Sequence, residues 1–386
     1  MRIFLIILST ILAYIVLYAP QPLLPLFAEN FAISESRAAL LTTATMLPLS
    51  IAPLTYGYLL GYISATVLLR IAILGMAFTA AGFAFAESFE MMVSIRFLQG
   101  LLLPAALTSL MTYISATTRK EEMARTMAIY VTSTIFGGFL GRLLAGVSAT
   151  LYHWQAFFVV LSVALLVCYF VLKPLSTEEL KVQPEIPRIR DIVMAFKSHN
   201  NARVYLAVFC LFFVFAAILN FVPFRLRELR GAPSELLTGL LYSGYLMGAV
   251  ASLGAKRIIR FLNGEHNAII TGFSCYTLGV LVTLFANEWG LFFALFAICG
   301  SMFFIHTIAA TVVNQRAEKR GIVNGLYVTF YYGGGVLGSF APGMIYERFG
   351  WEPFIMVLIL VSLTGLSVSL MNKYHEKKSL RLTTES

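Results

Sequence analysis

An all-α polytopic membrane protein, with twelve spanning helices in two six-helix halves, is the fold this sequence predicts. Three observations predict it. The composition is too apolar for an aqueous core, the apolar residues fall in twelve runs of spanning length, and a block of sequence recurs at a fixed offset of 197 residues.

Of 386 residues, 59% are apolar and 12% charged. A soluble domain carries about 25% charged residues. The bilayer is the solvent that accepts such a chain. The formal charge is +9, and Asp191 is the sole aspartate. A basic balance can signal nucleic-acid binding. Here the basic residues sit in short loops between apolar runs, so they read as topology signals and no nucleic-acid partner is expected. Cys168, Cys210, Cys275 and Cys299 each lie within an apolar run without metal-ligand spacing, so free, buried thiols and no metal site are expected.

A helix needs about 20 apolar residues to cross the hydrocarbon layer. The run from Ile3 to Ala28 lacks a small-residue cleavage pattern and is read as the first span, not a removed leader. The first half's spans centre near Tyr14, Leu49, Gly75, Leu103, Phe136 and Leu161. Those of the second half centre near Phe212, Leu246, Leu278, Ile298, Gly333 and Leu360. With the N-terminus, the even-numbered loops and the C-terminal tail on one side, that side holds 21 of the 28 Lys and Arg residues, against five opposite and two, Arg96 and Arg142, within spans. Both termini are therefore expected in the cytoplasm, as for a multi-pass protein of a bacterial inner membrane. The stretch Lys173–Arg203, with Pro174, Pro184 and Pro187, reads as a linker. The expected organisation is a six-helix bundle over 1–173, a linker over 174–203, a second bundle over 204–372 and a tail over 373–386.

The repeat ties the halves together. Tyr130-Val131-Thr132 recurs as Tyr327-Val328-Thr329, and the same offset pairs Gly137 with Gly334, Gly138 with Gly335, Gly141 with Gly338 and Trp154 with Trp351. In the preceding loop it pairs Arg119 with Arg316 and Glu121 with Glu318. An even number of spans separates the copies, so they cross in the same direction. This predicts a parallel pseudo-two-fold repeat about an axis along the membrane normal.

Three segments carry a resemblance to a known family. They are Tyr18-Ala19-Pro20-Gln21-Pro22-Leu23-Leu24-Pro25, the run from Gly137 to Gly146, and the run from Tyr327 to Gly338. With them the chain resembles the major facilitator superfamily over essentially its whole length, and its YnfM-type (arabinose-efflux-like permease) branch more closely. The family's helix-4 signature is present as Arg96-Phe97-Leu98-Gln99-Gly100. Its loop signature after helix 2, Gly-x-x-x-Asp-Arg-x-Gly-Arg, is not: Gly57 is followed by Gly61, Tyr62 and Ser64 where Asp, Arg and Gly would stand. The antiporter signature of helix 5 lacks its usual proline near Gly141.

Charges are costly in hydrocarbon, so an ionisable residue within a span is a functional candidate. Arg96 either anchors to Glu87 or Glu90 or, as its match to the helix-4 signature suggests, faces a substrate cavity. Arg142 lies about 25 Å along its helix at 1.5 Å per residue and reads as an anchor near the outer interface. His306 is near mid-depth and is either a proton relay or a packing residue; its ordinary pKa is about 6.5. No acid occupies mid-span, so proton coupling would fall to His306, Glu29 or Glu87. Candidate substrate-binding residues are Arg96, Gln99, Tyr18, Gln21, Tyr327, Tyr331 and Asn220. Tyr327 and Tyr331 are four apart and share a helix face. Gly137, Gly138, Gly141, Gly334, Gly335 and Gly338 are candidate helix-interface residues, with Gly137/Gly141 and Gly334/Gly338 forming small-xxx-small pairs. The resemblance implies that helix 5 packs on helix 8 and helix 11 on helix 2.

The resemblance further implies a secondary active transporter, exporting small organic molecules of drug-, sugar- or metabolite-like kind in exchange for protons by alternating access. The alternative is an importer of a small anion or metabolite held by Arg96, and after it a non-transporting membrane receptor. A P-loop, metal cluster or nucleophile constellation is lacking, so an enzyme and a cofactor are not expected. The expected partners are a small-molecule substrate, protons and lipids, with the chain a monomer.

Overall fold

The computed structural model describes residues 2–52, 55–173, 190, 193–194, 196, 199–231, 233–315 and 320–384. Most of the expected linker, with Asp191, and the paired loop residues Arg316 and Glu318 lie outside the described residues.

Without water in the bilayer core, each spanning segment must satisfy its own backbone, and the described chain is accordingly helical. Nine helical segments among the described residues are long and apolar enough to cross a membrane. The other three predicted spans coincide with α4 (Leu40–Ile51), which is short and contains Pro48, and with α13 (Glu265–Val282) and α15 (Arg320–Phe349), which carry more polar residues and glycine.

Two compact units are present, one drawn from Met1–Ile186 with Leu219–Tyr245, the other from Pro187–Ile218 with Leu246–Ser386. In the first, α1 (Arg2–Tyr18) and α2 (Leu24–Asn30) form one broken span, followed by α3 (Glu35–Ala38), α4 and α5 (Tyr56–Leu59). Next come α6 (Ala65–Ala84), α7 (Phe89–Thr117), α8 (Lys120–Leu151) and α9 (Trp154–Val171). The helix α10 (His199–Arg230) belongs to the second unit up to Ile218 and to the first beyond it. So does the span that follows, where α11 (Glu235–Leu241) is first-unit and α12 (Tyr245–Phe261) continues into the second. The second unit adds α13, α14 (Glu288–Gln315), α15 and α16 (Trp351–Thr384).

Local chemistry explains the helix starts. Ser34, Ser88 and Ser234 each accept a hydrogen bond from a backbone N–H three residues on, and Glu35, Glu90 and Glu235 sit in the first turns that follow. Both features neutralise the unpaired donors and positive end of a helix N-terminus. Trp154 and Trp351, partners in the repeat, are each the first residue of a helix, and Trp351 Nε1 donates to the Thr283 carbonyl at 2.9 Å.

The repeat is visible in the packing. In the first unit α8 lies against α1 so closely that a Cβ on Gly137 would stand 2.7 Å from the Ile11 carbonyl oxygen, and one on Gly141 2.9 Å from Ile15 Cα. In the second unit α15 lies against α10, and a Cβ on Gly334 or Gly338 would run into the carbonyl oxygens of Phe209 or Phe213. These partners differ from those the resemblance implied: the glycine pairs of helices 5 and 11 seat on helices 1 and 7. Helix 5 does meet the start of the eighth span, but farther along, where Gly146 abuts Glu235 and Gly239 abuts Arg142 and Leu143. One thiol expectation is also corrected: all four cysteines are free, but Cys275 is exposed while the other three are buried.

Candidate functional site

Two breaks in the spanning helices build the first polar cluster. The first span unwinds at Tyr18, where Pro20 and Pro22 remove backbone donors, and re-forms through a 3-10 turn, Gln21–Leu23. The eighth span is interrupted by a 3-10 turn, Tyr242–Gly244, between α11 and α12. Short 3-10 stretches within helices often mark functional positions. Both breaks turn side chains toward Arg142 on α8.

Arg142 is fully buried, which corrects its reading as an interfacial anchor. Its Nε donates to Gln21 Oε1 at 2.7 Å and its Nη1 to the Gly138 carbonyl at 2.8 Å. With the Gln21 oxygen so used, its amide nitrogen donates to Asn220 Oδ1 at 2.6 Å. Three rings close around the guanidinium, with centroids at 4.1 Å for Tyr18, 4.4 Å for Tyr245 and 4.8 Å for Tyr242. Each is within cation–π range. Gly138 makes this possible, because its missing Cβ would lie 3.1 Å from Tyr245 and 3.3 Å from Tyr18. Tyr242 is itself pinned: its hydroxyl donates to the Leu219 carbonyl at 2.7 Å, the very oxygen that Pro223 cannot serve.

Arg96 is buried too, but in a different way. Its Nη1 donates to the Val16 carbonyl at 2.7 Å and to Gln99 Oε1 at 2.6 Å, its Nη2 to the Leu17 carbonyl at 2.6 Å and its Nε to the Leu41 carbonyl at 3.0 Å. Pro20 cannot donate back to Val16, and α1 has ended before Leu17 finds a donor. Arg96 therefore caps the broken end of α1, a cation placed at a helix C-terminus. It does not pair with Glu87 or Glu90. Glu87 is exposed, and Glu90 pairs with Arg37 at 2.5 Å. Glu29 pairs with Arg227, which also donates to the Pro25 carbonyl at 3.1 Å.

The second cluster lies within the second unit. His306 on α14 is half-buried, and its Nδ1 stands 2.9 Å from the Tyr327 hydroxyl. That hydroxyl is also 3.2 Å from the His306 carbonyl. A phenol has one proton, so when it donates to the carbonyl, the ring nitrogen must be the donor to the phenol oxygen. Tyr331 flanks the imidazole at 4.6 Å and stacks on Phe212 at 3.9 Å between centroids. The structure thus groups Tyr18, Gln21 and Asn220 in one unit, His306, Tyr327 and Tyr331 in the other, and Arg96 with Gln99 in a third, self-contained network.

The profile of the Major Facilitator Superfamily matches residues 6–263 and 258–385. The chain belongs to this superfamily. It is 25% identical to the inner membrane transport protein YnfM of Escherichia coli K12, over 94% of this chain and 89% of that protein. It is 24% identical to an uncharacterized transporter of Buchnera aphidicola from Acyrthosiphon pisum, over 94% and 90% of the two chains. In fold it is similar to the nucleoside transporter NupG, with a TM-score of 0.80 at 11% identity over 96% of this chain and 99% of that one. It is also similar to a bacterial homologue of the human lysosomal transporter Spinster, with a TM-score of 0.73 at 12% identity over 97% and 96% of the two chains. The fold is thus the all-α, two-halved, twelve-helix arrangement of this superfamily, and the chain is a membrane transporter of the major-facilitator kind.

Tyr242 and Tyr245 were not among the sequence candidates. They fall in a segment that reads as one apolar span, and the 3-10 turn that aims them has only the Tyr-Ser-Gly-Tyr spacing as its signal.

Proposed function

We propose that this major-facilitator protein exports small organic molecules across a bacterial inner membrane in exchange for protons. The observation that carries coupling is the His306–Tyr327 pair. Its imidazole is a titratable group within a span whose ordinary range lies near neutral pH, and the phenol can donate either to the ring nitrogen or to the backbone carbonyl, so its hydrogen bond can follow the protonation state of the ring. Glu29 and Glu87 support coupling less well, because both are exposed and Glu29 is paired. The resemblance to efflux permeases supports the outward direction. The repeat supports 1–173 and 204–372 as the bodies that move, with a linker over 174–203 and a tail over 373–386. The charge asymmetry of the loops supports cytoplasmic termini. Membership of a transporter superfamily supports reading the protein as a transporter, and it is taken to work as a monomer.

Inverted membrane vesicles test the direction. With a panel of labelled sugars, aromatic acids and cationic drugs, uptake should follow an acid interior and collapse with a protonophore. Accumulation in right-side-out vesicles alone would make the protein an importer. Cysteines introduced as Ser176→Cys and Ser234→Cys, after the exposed Cys275 is replaced, should react with an impermeant reagent from opposite sides. Equal labelling of both from outside would overturn the orientation.

A further inference from the structure

We propose that Arg142 is the recognition point for the carboxylate of a small organic anion with a planar, aromatic body. The proposal rests on the transport reading above and names its substrate class. Of the three guanidinium nitrogens, Nε and Nη1 have acceptors, whereas Nη2 is buried without a hydrogen-bond partner among the described residues. No ion pair to Arg142 is present among the described residues either, so a fully buried cation is faced by a neutral amide, a carbonyl and three rings. Burying a charge is costly unless it is paired, and removing one partner of a buried pair leaves that cost uncompensated. An arriving carboxylate supplies both the missing acceptor and the missing charge.

Arg96 shows that burial alone does not produce this state. All three of its nitrogens have acceptors, and it closes a backbone break with nothing left over. Nor does the fold demand a cation at the Arg142 position, because the repeat places Ser339 at the equivalent point, buried and donating to the Val336 carbonyl. The surroundings define the rest of the ligand. Tyr18, Tyr242 and Tyr245 offer ring faces and edges to a planar body, and the Gln21–Asn220 amide pair offers polar atoms at its margin. The spans change to 3-10 turns on two sides, at Gln21–Leu23 and Tyr242–Gly244, a local irregularity that within helices often marks a functional position. Arg142 has no exposed surface in this arrangement, so the anion reaches it only when the rings part. Tyr245, packed on Gly138, is the ring whose helix begins at the break and is the one expected to move.

The test uses purified full-length protein and measures binding of benzoate and phenylacetate against benzamide, phenylacetamide and benzylamine. The acids should bind at least tenfold tighter than their amides, and benzylamine no tighter than the amides. Arg142→Lys keeps a charge but loses the planar fork, and it should erase at least tenfold of the acid preference, as should Arg142→Gln. Tyr245→Ala should weaken acids and amides alike and leave the preference. Acids no tighter than amides in the natural protein, or a preference that survives both Arg142 variants, would overturn the proposal. Proteoliposomes separate the two readings. Flux of a sugar or a cation without any acid preference sinks the carboxylate site and leaves the transport reading standing. Acid preference without flux of any solute does the reverse.

Discussion

The two copies of the repeat share their backbone packing and differ in their chemistry. In the first, Gly137 and Gly141 let α8 press on Ile11 and Ile15; in the second, Gly334 and Gly338 let α15 press on Phe209 and Phe213. The polar equipment is exchanged. Where the first copy has Arg142 the second has Ser339, and where the second has His306 the first has Ser109. All but half-buried His306 are fully buried. The lesson is that close helix approach is a requirement of the doubled scaffold. The groups that carry or can take up a charge, Arg142 in one copy and His306 in the other, stand at positions that are serine in the opposite copy. This is the pattern expected if one copy recognises a ligand and the other handles protons.

The packing half of this comparison has the largest expected effects. Gly338→Leu and Gly141→Leu should each cost about 3 kcal/mol or more, because the new side chain meets backbone that cannot yield. Gly333, in the same helix as Gly338, has open space where its Cβ would be. Gly333→Ala should therefore be neutral or stabilise by about 0.5–1 kcal/mol through helix propensity alone. Thermal unfolding of the purified variants checks this, and equal losses at 333 and 338 would mean that the approach is not tight.

The two arginines come next. Arg96→Lys should lower stability by about 2 kcal/mol, since a point charge cannot reach the three carbonyls and Gln99 together. It should leave any acid-over-amide preference intact. If Arg96→Lys is as stable as the natural protein but loses that preference, the roles assigned to Arg96 and Arg142 are reversed. Gly138→Ala should have a smaller effect, about 1 kcal/mol, with looser binding of both acids and amides, because the new methyl group crowds Tyr245 and Tyr18 without touching backbone. The smallest stability change belongs to Tyr327→Phe, which keeps the stack with Tyr331 and removes one hydroxyl. Its signature is a displaced pH profile of exchange with a severalfold lower turnover. An unchanged profile would make the hydroxyl a packing feature.

The spans and the repeat were legible because hydropathy and a fixed offset survive without knowledge of contacts. The glycine pairs were legible as close approaches, but not their partners: a small-residue stripe says that a backbone comes near and not which one. The burial of Arg142 was not legible because counting residues along a straight helix gives depth and says nothing of what surrounds the side chain. The surrounding rings come from a break in the eighth span that hydropathy smooths over. Pro20 leaves the Val16 carbonyl without its usual donor, so two signatures recognised separately, one in the first span and one in the fourth, are the two sides of one cap.

The central claim is that protons are handled in the second copy, at His306. His306→Gln retains a hydrogen-bonding side chain but cannot carry the proton. In proteoliposomes with an imposed pH gradient, the variant should lose uphill transport and the accompanying proton movement while keeping downhill exchange of substrate. Uphill transport with an unchanged proton count and pH profile would contradict the account and return His306 to packing.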